Sequence, residues 1–586
     1  MNPRKKVRLG DLLVQQKLIS SEQLNQALAE QKKSGHKLGR VLIENGYVDE
    51  EQMLKVLSEQ LKIPYVDLVH FKFDPEAVRM LPEIQARRFR AIVLENKPER
   101  MLVGMSDPTN IFAYDEISRL LKKPIDLAVV REKDLLKTLD SVYRRTEEIS
   151  GFAEELSDEL AEGDIDLATL VSDADVADAP VVKMLSSLFE DAVQIGASDI
   201  HIEPDENILR IRQRVDGVLQ EHTMDEVRIA PALVLRLKLM AGLDISEKRL
   251  PQDGRFSVRV KDHNIDVRLS TMPIQHGESV VMRLLDQSSG VLSLDQLGMP
   301  DSIRRRYEMM ATRPHGMILV TGPTGSGKTT SLYATLKLLN KSDNKIITVE
   351  DPVEYRLPRI NQVQVNSGIG LTFARVLRSV LRHDPDIVLV GEIRDEETAE
   401  IALRAAMTGH LVLSTLHTND SISTINRLMD MGIKSYLLAS ALHGIMAQRL
   451  VRRVCESCAQ PHKLNAQARA WLQAYGDEAA QQAEYLKGAG CAHCNHTGYS
   501  GRIGVYELLD VDKQLTEVLG HGDSIGFANA ARKASHYRPL HTVALDYAQQ
   551  GITSMDEVLK IAADVEAIID VDAGAEMQPD ENAVPV

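Results

Sequence analysis

Residues Gly322-Pro323-Thr324-Gly325-Ser326-Gly327-Lys328-Thr329 fit the phosphate-loop pattern G-x-x-x-x-G-K-[ST], and the chemistry they suit is the cradling of a nucleoside triphosphate. Glycines let backbone N–H groups close around phosphate oxygens, and a helix starting at the loop adds its positive end. Lys328 then reaches the β- and γ-phosphates, the Thr329 hydroxyl can ligate Mg2+, and Thr330 completes the segment set against ATP. The pattern has meaning only between a strand and a helix. The apolar run Met317-Ile318-Leu319-Val320 predicts the strand, and Thr330 to Leu336 predicts the helix.

Hydrolysis needs more than a loop: carboxylates must hold magnesium and water, and cations must meet the charge that develops on the γ-phosphate. Glu350-Asp351 and Glu354 follow the apolar run Ile346-Ile347-Thr348-Val349, and Glu392 follows Ile387-Val388-Leu389-Val390-Gly391, where an aspartate is more usual. A single carboxylate at a strand end is often only a helix cap, so the argument rests on finding both groups. His410 and His417 flank another apolar run, Leu411 to Ser414, and a lone histidine there is ordinarily a structural hydrogen-bonder.

All four cysteines lie between 455 and 494, as Cys455-x2-Cys458 and Cys491-x2-Cys494 with 32 residues between the pairs. That spacing predicts a closed, structural four-thiolate zinc site rather than disulfides; His493 or His496 in place of one thiol is the less favoured alternative.

The elements that must position these groups fall into segments. The chain of 586 residues is too long for one core and predicts about three to five domains. Its formal charge of −16 is concentrated in residues 147–178, with 12 acidic and no basic side chains, and 561–586, with 7 and none. The body is therefore close to neutral and has no basic stripe of the sort a nucleic-acid track needs. No apolar stretch approaches the roughly 18 residues of a membrane span, and Met1–Lys6 opens no signal peptide, so a cytoplasmic location is expected.

Residues 8–31 recur 29 residues later: Arg8-Leu9-Gly10, Leu13 and Gln31 against Lys37-Leu38-Gly39, Leu42 and Gln60. Each copy predicts a short helix, a turn and a longer capped helix, opened by Ser20 or Asp49. A small α/β lobe is expected over 66–145. Alternation in 209–215, 256–260 and 265–270, with turns at Asp216-Gly217 and Gln252-Asp253-Gly254, predicts a half-buried antiparallel sheet. Buried runs at 317–321, 346–349, 387–390 and 411–414 predict a mostly parallel sheet covered on both faces.

Taken together, the phosphate loop, Glu350-Asp351-Pro352-Val353-Glu354, Asp386–Arg394, Thr408–His417 and the four cysteines resemble the type II secretion and type IV pilus assembly ATPases over about residues 180–560. The resemblance implies an α/β RecA-like ATPase domain (301–565) with a zinc-binding subdomain (451–500), preceded by a PAS-like α+β domain (179–300) and assembled as a homo-hexamer. A flexible acidic linker (147–178) and an acidic tail (566–586) would flank these parts. It also implies that Arg268 and Arg283 of the PAS-like domain reach the nucleotide, with Arg378 and Arg382 as further cations in the motor. Glu392 would organise Mg2+ and water, and Glu354 is a competing general base.

The N-terminal helical and α/β module (1–146) is similar to the cyclic di-GMP-binding domain first associated with the mannose-sensitive haemagglutinin (MSHA) pilus ATPase. That similarity implicates Arg8, Leu9, Gly10 and Gln31, then Lys37, Leu38, Gly39 and Gln60, with Asp107. Lys37 replaces the arginine of the pattern, which keeps the charge and loses the planar fork. The implied protein is an ATPase extending an MSHA-like type IV pilus, activated by cyclic di-GMP and peripheral at the inner membrane through a platform protein. A type II secretion ATPase driving a pseudopilus is the alternative, and a cyclic di-GMP sensor with little hydrolysis is a third reading.

Overall fold

The computed structural model describes residues 9–34, 38–71, 73–74, 77–78, 80–142, 146–162, 179–261, 263–288 and 290–563. Four helices open it: α1 (Leu9–Gln15), α2 (Ser21–Ser34), α3 (Leu38–Glu44) and α4 (Glu50–Leu61). Ser20 opens α2 with a capping box, its Oγ accepting from the Gln23 amide at 3.1 Å while the Ser20 amide donates to Gln23 Oε1 at 2.8 Å. Asp49 occupies the cap position of α4 in extended geometry, with no side-chain cap bond. The sequence repeat is also a repeat of packing. Leu13 and Leu42, Ile19 and Val48, Ala27 and Val56 are equivalent pairs, and all six are buried in one core. Gly10 lies against Leu24 as its counterpart Gly39 lies against Met53.

Strands β1 (Ala91–Asn96), β2 (Met101–Met105) and β3 (Ile125–Val129) form the sheet of the following lobe, antiparallel then parallel. Arg131 ties this lobe to α4 through Glu50 at 2.9 Å. The first half of the expected flexible linker is instead a helix, Thr146–Glu162. Beneath its acidity, Ile149, Ala153 and Leu156 recur at helical spacing and are buried with Met184 and Leu188. The residues between 163 and 178, and the tail from 564 on, lie outside the described part.

The PAS-like domain is a six-stranded antiparallel sheet of β4 (Ala197–Pro204), β5 (Leu209–Val215), β6 (Val218–Met224), β7 (Gln252–Val260), β8 (His263–Ile274) and β9 (Gly277–Asp286). Their spatial order is β6-β5-β4-β9-β8-β7. Asp216-Gly217 makes the β5–β6 turn, both residues at positive φ (49° and 83°), as a tight hairpin requires. Gln252-Asp253-Gly254, expected as a turn, is strand, paired with Thr271, Ser270 and Leu269. Gly254 serves close approach there: a Cβ would stand 3.0 Å from both Ala241 Cβ and Leu243 Cδ2.

The motor domain holds a seven-stranded sheet whose strands, from one edge to the other, begin at Asn361, Ile346, Ile387, Leu411, Gly316, Leu442 and Tyr499. Its members are β10 (Gly316–Thr321), β11 (Ile346–Glu350), β12 (Asn361–Gln364), β13 (Ile387–Val390), β14 (Leu411–Leu416), β15 (Leu442–Val454) and β18 (Tyr499–Asp510), all parallel except the β15–β18 pair. Every residue of β10, β11, β13 and β14 is buried, because one core covers each face of the sheet. The short hairpin β16 (Ala459–Pro461) and β17 (Leu486–Gly488) carries the cysteine region between β15 and β18.

Candidate nucleotide and metal sites

The phosphate loop leaves the end of β10 and delivers Lys328 to the first turn of the helix Lys328–Leu339. Gly322 sits at φ 147°, where a Cβ would meet the Gln448 carbonyl oxygen at 2.5 Å; Gly327, at φ 87°, is the N-cap. Both positions therefore need glycine. Lys328 Nζ donates to the loop's own carbonyls, Gly322 at 2.7 Å and Pro323 at 3.0 Å. Burial pushes this ammonium down to about 8, Glu392 pulls it back up and Arg449 adds to the lowering. The cation thus sits in a low-dielectric cradle that arriving phosphates would complete.

Beside the loop lies a cavity of about 610 Å³, lined among others by Lys328, Thr329, Thr330, Glu354, Glu392 and His417, and by Arg283 from the PAS-like domain. Glu392, at the end of β13, is held by Arg394 Nη2 at 2.5 Å, with His417 Nε2 at 3.6 Å. Arg394 also reaches Asp351 at 3.5 Å. His417 is held below its ordinary value by burial and by Lys328. His410 has the structural role expected of it, its Nδ1 lying 3.0 Å from the Ala405 carbonyl.

The strand-end carboxylates divide in role. Glu350 is buried and receives the Tyr333 and Thr348 hydroxyls, with Gln362 Nε2 at 3.2 Å, so it fastens β11 to its neighbours. Glu354 lines the cavity and pairs with Arg268 Nη2 at 2.6 Å, across the boundary between the two domains. Arg268 donates also to the Val353 carbonyl at 3.3 Å. Arg283, directly opposite Arg268 in the β8–β9 register, pairs with Asp199 at 3.1 Å. Arg378 pairs with Glu397, and Arg382 donates to the Arg378 carbonyl at 2.8 Å; neither lines the cavity. Asp199 and Arg394 escaped the sequence reading. The alternating charges of Glu392-Ile393-Arg394-Asp395 were a signal for the second, and nothing local marks the first.

Sulfur atoms of the four cysteines all lie within 4.8 Å of one another. Individual separations are 3.9 Å for Cys455–Cys491, 3.8 Å for Cys458–Cys494 and 3.7 Å for Cys491–Cys494. A tetrahedron with metal–sulfur bonds of about 2.3 Å has edges of about 3.8 Å, so the set fits one ion. Neither His493 nor His496 belongs to the cluster.

In the N-terminal module, Arg8 and Lys37 lie outside the described residues, and of Leu9 only its place in α1 is described. Gly10 is buried, while Gln31, Leu38, Gly39 and Gln60 are half-buried on the four helices. Asp107 Oδ1 accepts from the Thr109 hydroxyl and amide, bracing the turn ahead of the helix Ile111–Leu121.

The family described as type II/IV secretion system protein matches residues 174–560, and the MshEN domain matches 61–149, behind the helical repeat. The type II secretion system ATPase E of Vibrio cholerae is 41% identical over 495 residues, spanning 83% of this chain and 97% of that protein. The type IV pilus assembly ATPase PilB of Myxococcus xanthus is 40% identical over 559 residues, spanning 94% and 98%. Among solved structures, MshE with cdg is 39% identical and covers 23% of this chain and 99% of its own, at a TM-score of 0.23. With a phosphate loop, the Glu392 carboxylate and Arg283 of the PAS-like domain around one cavity, and with relatives of this identity and coverage, the chain belongs to the type II/IV secretion system family and is an ATPase.

Proposed function

We propose that this chain is the homo-hexameric ATPase that extends an MSHA-like type IV pilus, with cyclic di-GMP as its activating ligand. The observation that carries the motor half is the cavity walled by both domains: Lys328, Thr329 and Glu392 on one side, Arg283 on the other, and the Arg268–Glu354 pair across the boundary. ATP would enter with its phosphates on the loop, drawing Lys328 off the Gly322 and Pro323 carbonyls. Thr329 and Glu392 would hold Mg2+, which screens phosphate charge and polarises the γ-phosphoryl group when bound. Glu392, kept in place by Arg394, would orient the attacking water, with Glu354 as the competing base. Movement of the PAS-like domain would bring Arg268 and Arg283 onto the developing charge. Cys455, Cys458, Cys491 and Cys494 would hold Zn2+, whose closed coordination is structural.

Cyclic di-GMP is supported by the doubled helical module. Its two copies share packing as well as sequence, so a two-fold symmetric dinucleotide meets a pseudo-two-fold protein face. The MshEN match lies directly behind this module, and the pilus relative spans 94% of this chain. Among the described residues no helix is long and apolar enough to cross a membrane, so attachment at the inner membrane would run through a platform protein. A type II secretion motor is favoured as second reading by the relative at 41% identity.

Calorimetric titration of cyclic di-GMP tests the ligand. Saturable binding that Arg8→Ala and Leu9→Ala each weaken at least about tenfold is expected. Absence of binding to folded protein would return the module to docking and favour the secretion reading.

A further inference from the structure

The β5–β6 turn of the PAS-like domain touches the strand that leaves the cysteine cluster, and Arg502 of that strand also lines the nucleotide cavity. The Asp216 carboxylate accepts from the Gly501 amide at 2.8 Å through Oδ2, and its Oδ1 lies 3.5 Å from Arg502 Nε. Hydrogen bonds to an ionised acceptor are among the stronger polar contacts. The turn itself is stiff, since Arg214 Nη1 donates to the Gly217 carbonyl at 3.0 Å.

The partner strand is fixed by the metal module. Gly498 donates its amide to Cys494 Sγ at 3.2 Å and accepts from the Cys455 amide at 3.0 Å, so the chain entering β18 is tied to both cysteine pairs. Tyr499 then packs under the Arg452 guanidinium, 3.9 Å from the ring centroid, and Arg452 is paired with Glu557 at 2.8 Å. Between turn and module lies a cavity of about 270 Å³, lined by Val218 and Gln220 on one side and by Cys494 and Thr497 on the other. Apart from its polar clasp, this junction is therefore loosely filled, and Asp216 supplies a large share of its definition.

What moves with Asp216 matters for hydrolysis. β5 is hydrogen-bonded to β4, β4 to β9 and β9 to β8, so the turn belongs to the same sheet that carries Arg283 and Arg268. Arg283 is itself held by Asp199 of β4. We propose that Asp216 is a positioning residue for ATP hydrolysis: by clasping Gly501 and Arg502 it seats the PAS-like sheet against the motor, with the cysteine module as its anchor. This role of the module goes beyond holding its own loop together. Metal bound by the four cysteines would then act on catalysis through the PAS-like sheet and one carboxylate.

Asp216→Asn and Asp216→Ala test this in the full chain. Asparagine tolerates the left-handed turn and keeps one acceptor while losing the charge; alanine removes both. The expected result is a fall of about tenfold in kcat for Asp216→Ala and a smaller fall for Asp216→Asn, because misplacement of a cation weakens the transition state most. KM for ATP and Kd for a fluorescent ADP analogue should change less than kcat, since the phosphate loop is untouched and Arg502 alone of the clasp lines the nucleotide cavity. Zinc content should be unchanged, while amide exchange over Leu209–Met224 should quicken. Chelation of the wild-type protein should quicken the same amides, and chelation of Asp216→Ala should add nothing there. Wild-type kcat and exchange in both variants would overturn the proposal, as would a chelated wild-type protein whose β5–β6 amides stay protected. Should chelation unfold the motor, the two variants at full zinc content still decide the matter.

Discussion

Lys328 shows how one residue prepares for a ligand. Its ammonium is desolvated and held to about 8 while it rests on loop carbonyls, so between about pH 8 and 10 much of it is neutral in the free protein. Phosphate favours the charged form, and binding therefore takes up a proton in that window and none from this group near pH 7. Calorimetry of ADP binding in buffers of different ionisation enthalpy should give proton uptake at pH 9 that vanishes at pH 7; uptake equal at both would place the titrating group elsewhere. The gathering of Lys328, Thr329 and Glu392 around one cavity was readable from the chain because each sits at a fixed spacing from a glycine turn or a strand end. The Arg268–Glu354 and Arg283–Asp199 pairs were not, since their partners lie over 80 residues apart: β4–β9 register joins the second pair, and the seating of the PAS-like sheet on the motor joins the first.

Elements were legible where one force dominated. Strands β10, β11, β13 and β14 are buried on both faces and read as unbroken apolar runs. The helix Thr146–Glu162 was masked because high acidity and helical spacing compete in the same residues, and burial of Ile149, Ala153 and Leu156 decides in favour of the helix. Gln252-Asp253-Gly254 carries turn chemistry, yet nine-residue pairing with β8 overrides it. The doubled module allows a sharper test, because its two glycines face equivalent positions but differ in how closely the facing side chain approaches. A Cβ on Gly10 would stand 2.6 Å from Leu24 Cδ1, whereas one on Gly39 meets nothing nearer than Met53 Sδ at 3.6 Å. Gly39→Ala should stabilise its helix by about 0.5–1 kcal/mol, the ordinary gain of alanine over glycine. Gly10→Ala should lose that gain to overpacking and destabilise by about 1 kcal/mol or more. Native-state hydrogen exchange over residues 9–61 should separate the two variants in sign, and equal shifts would mean that the two glycines are equally crowded.

Across the whole molecule, the contacts that span the boundary between the PAS-like and motor domains include Arg268 on Glu354, Gln287 Nε2 on the Glu354 carbonyl at 3.4 Å, and Asp216 on Gly501 and Arg502. The first two lie at the nucleotide cavity and the last beside the cysteine cluster, so the cavity and the cluster both adjoin the same pair of domains. Such an arrangement suits a motor whose stroke is the movement of one domain against the other, and it gives a distant regulatory module specific contacts to bias. The central claim is that this chain hydrolyses ATP with its own Lys328 and Glu392 and does so faster when its N-terminal module holds cyclic di-GMP. The measurement that tests it most directly is single-turnover ATP hydrolysis with and without cyclic di-GMP, beside Lys328→Ala and Glu392→Gln. Phosphate release that both substitutions abolish and that the ligand accelerates is the predicted result; release no faster than Lys328→Ala, or a rate unmoved by bound ligand, would contradict it.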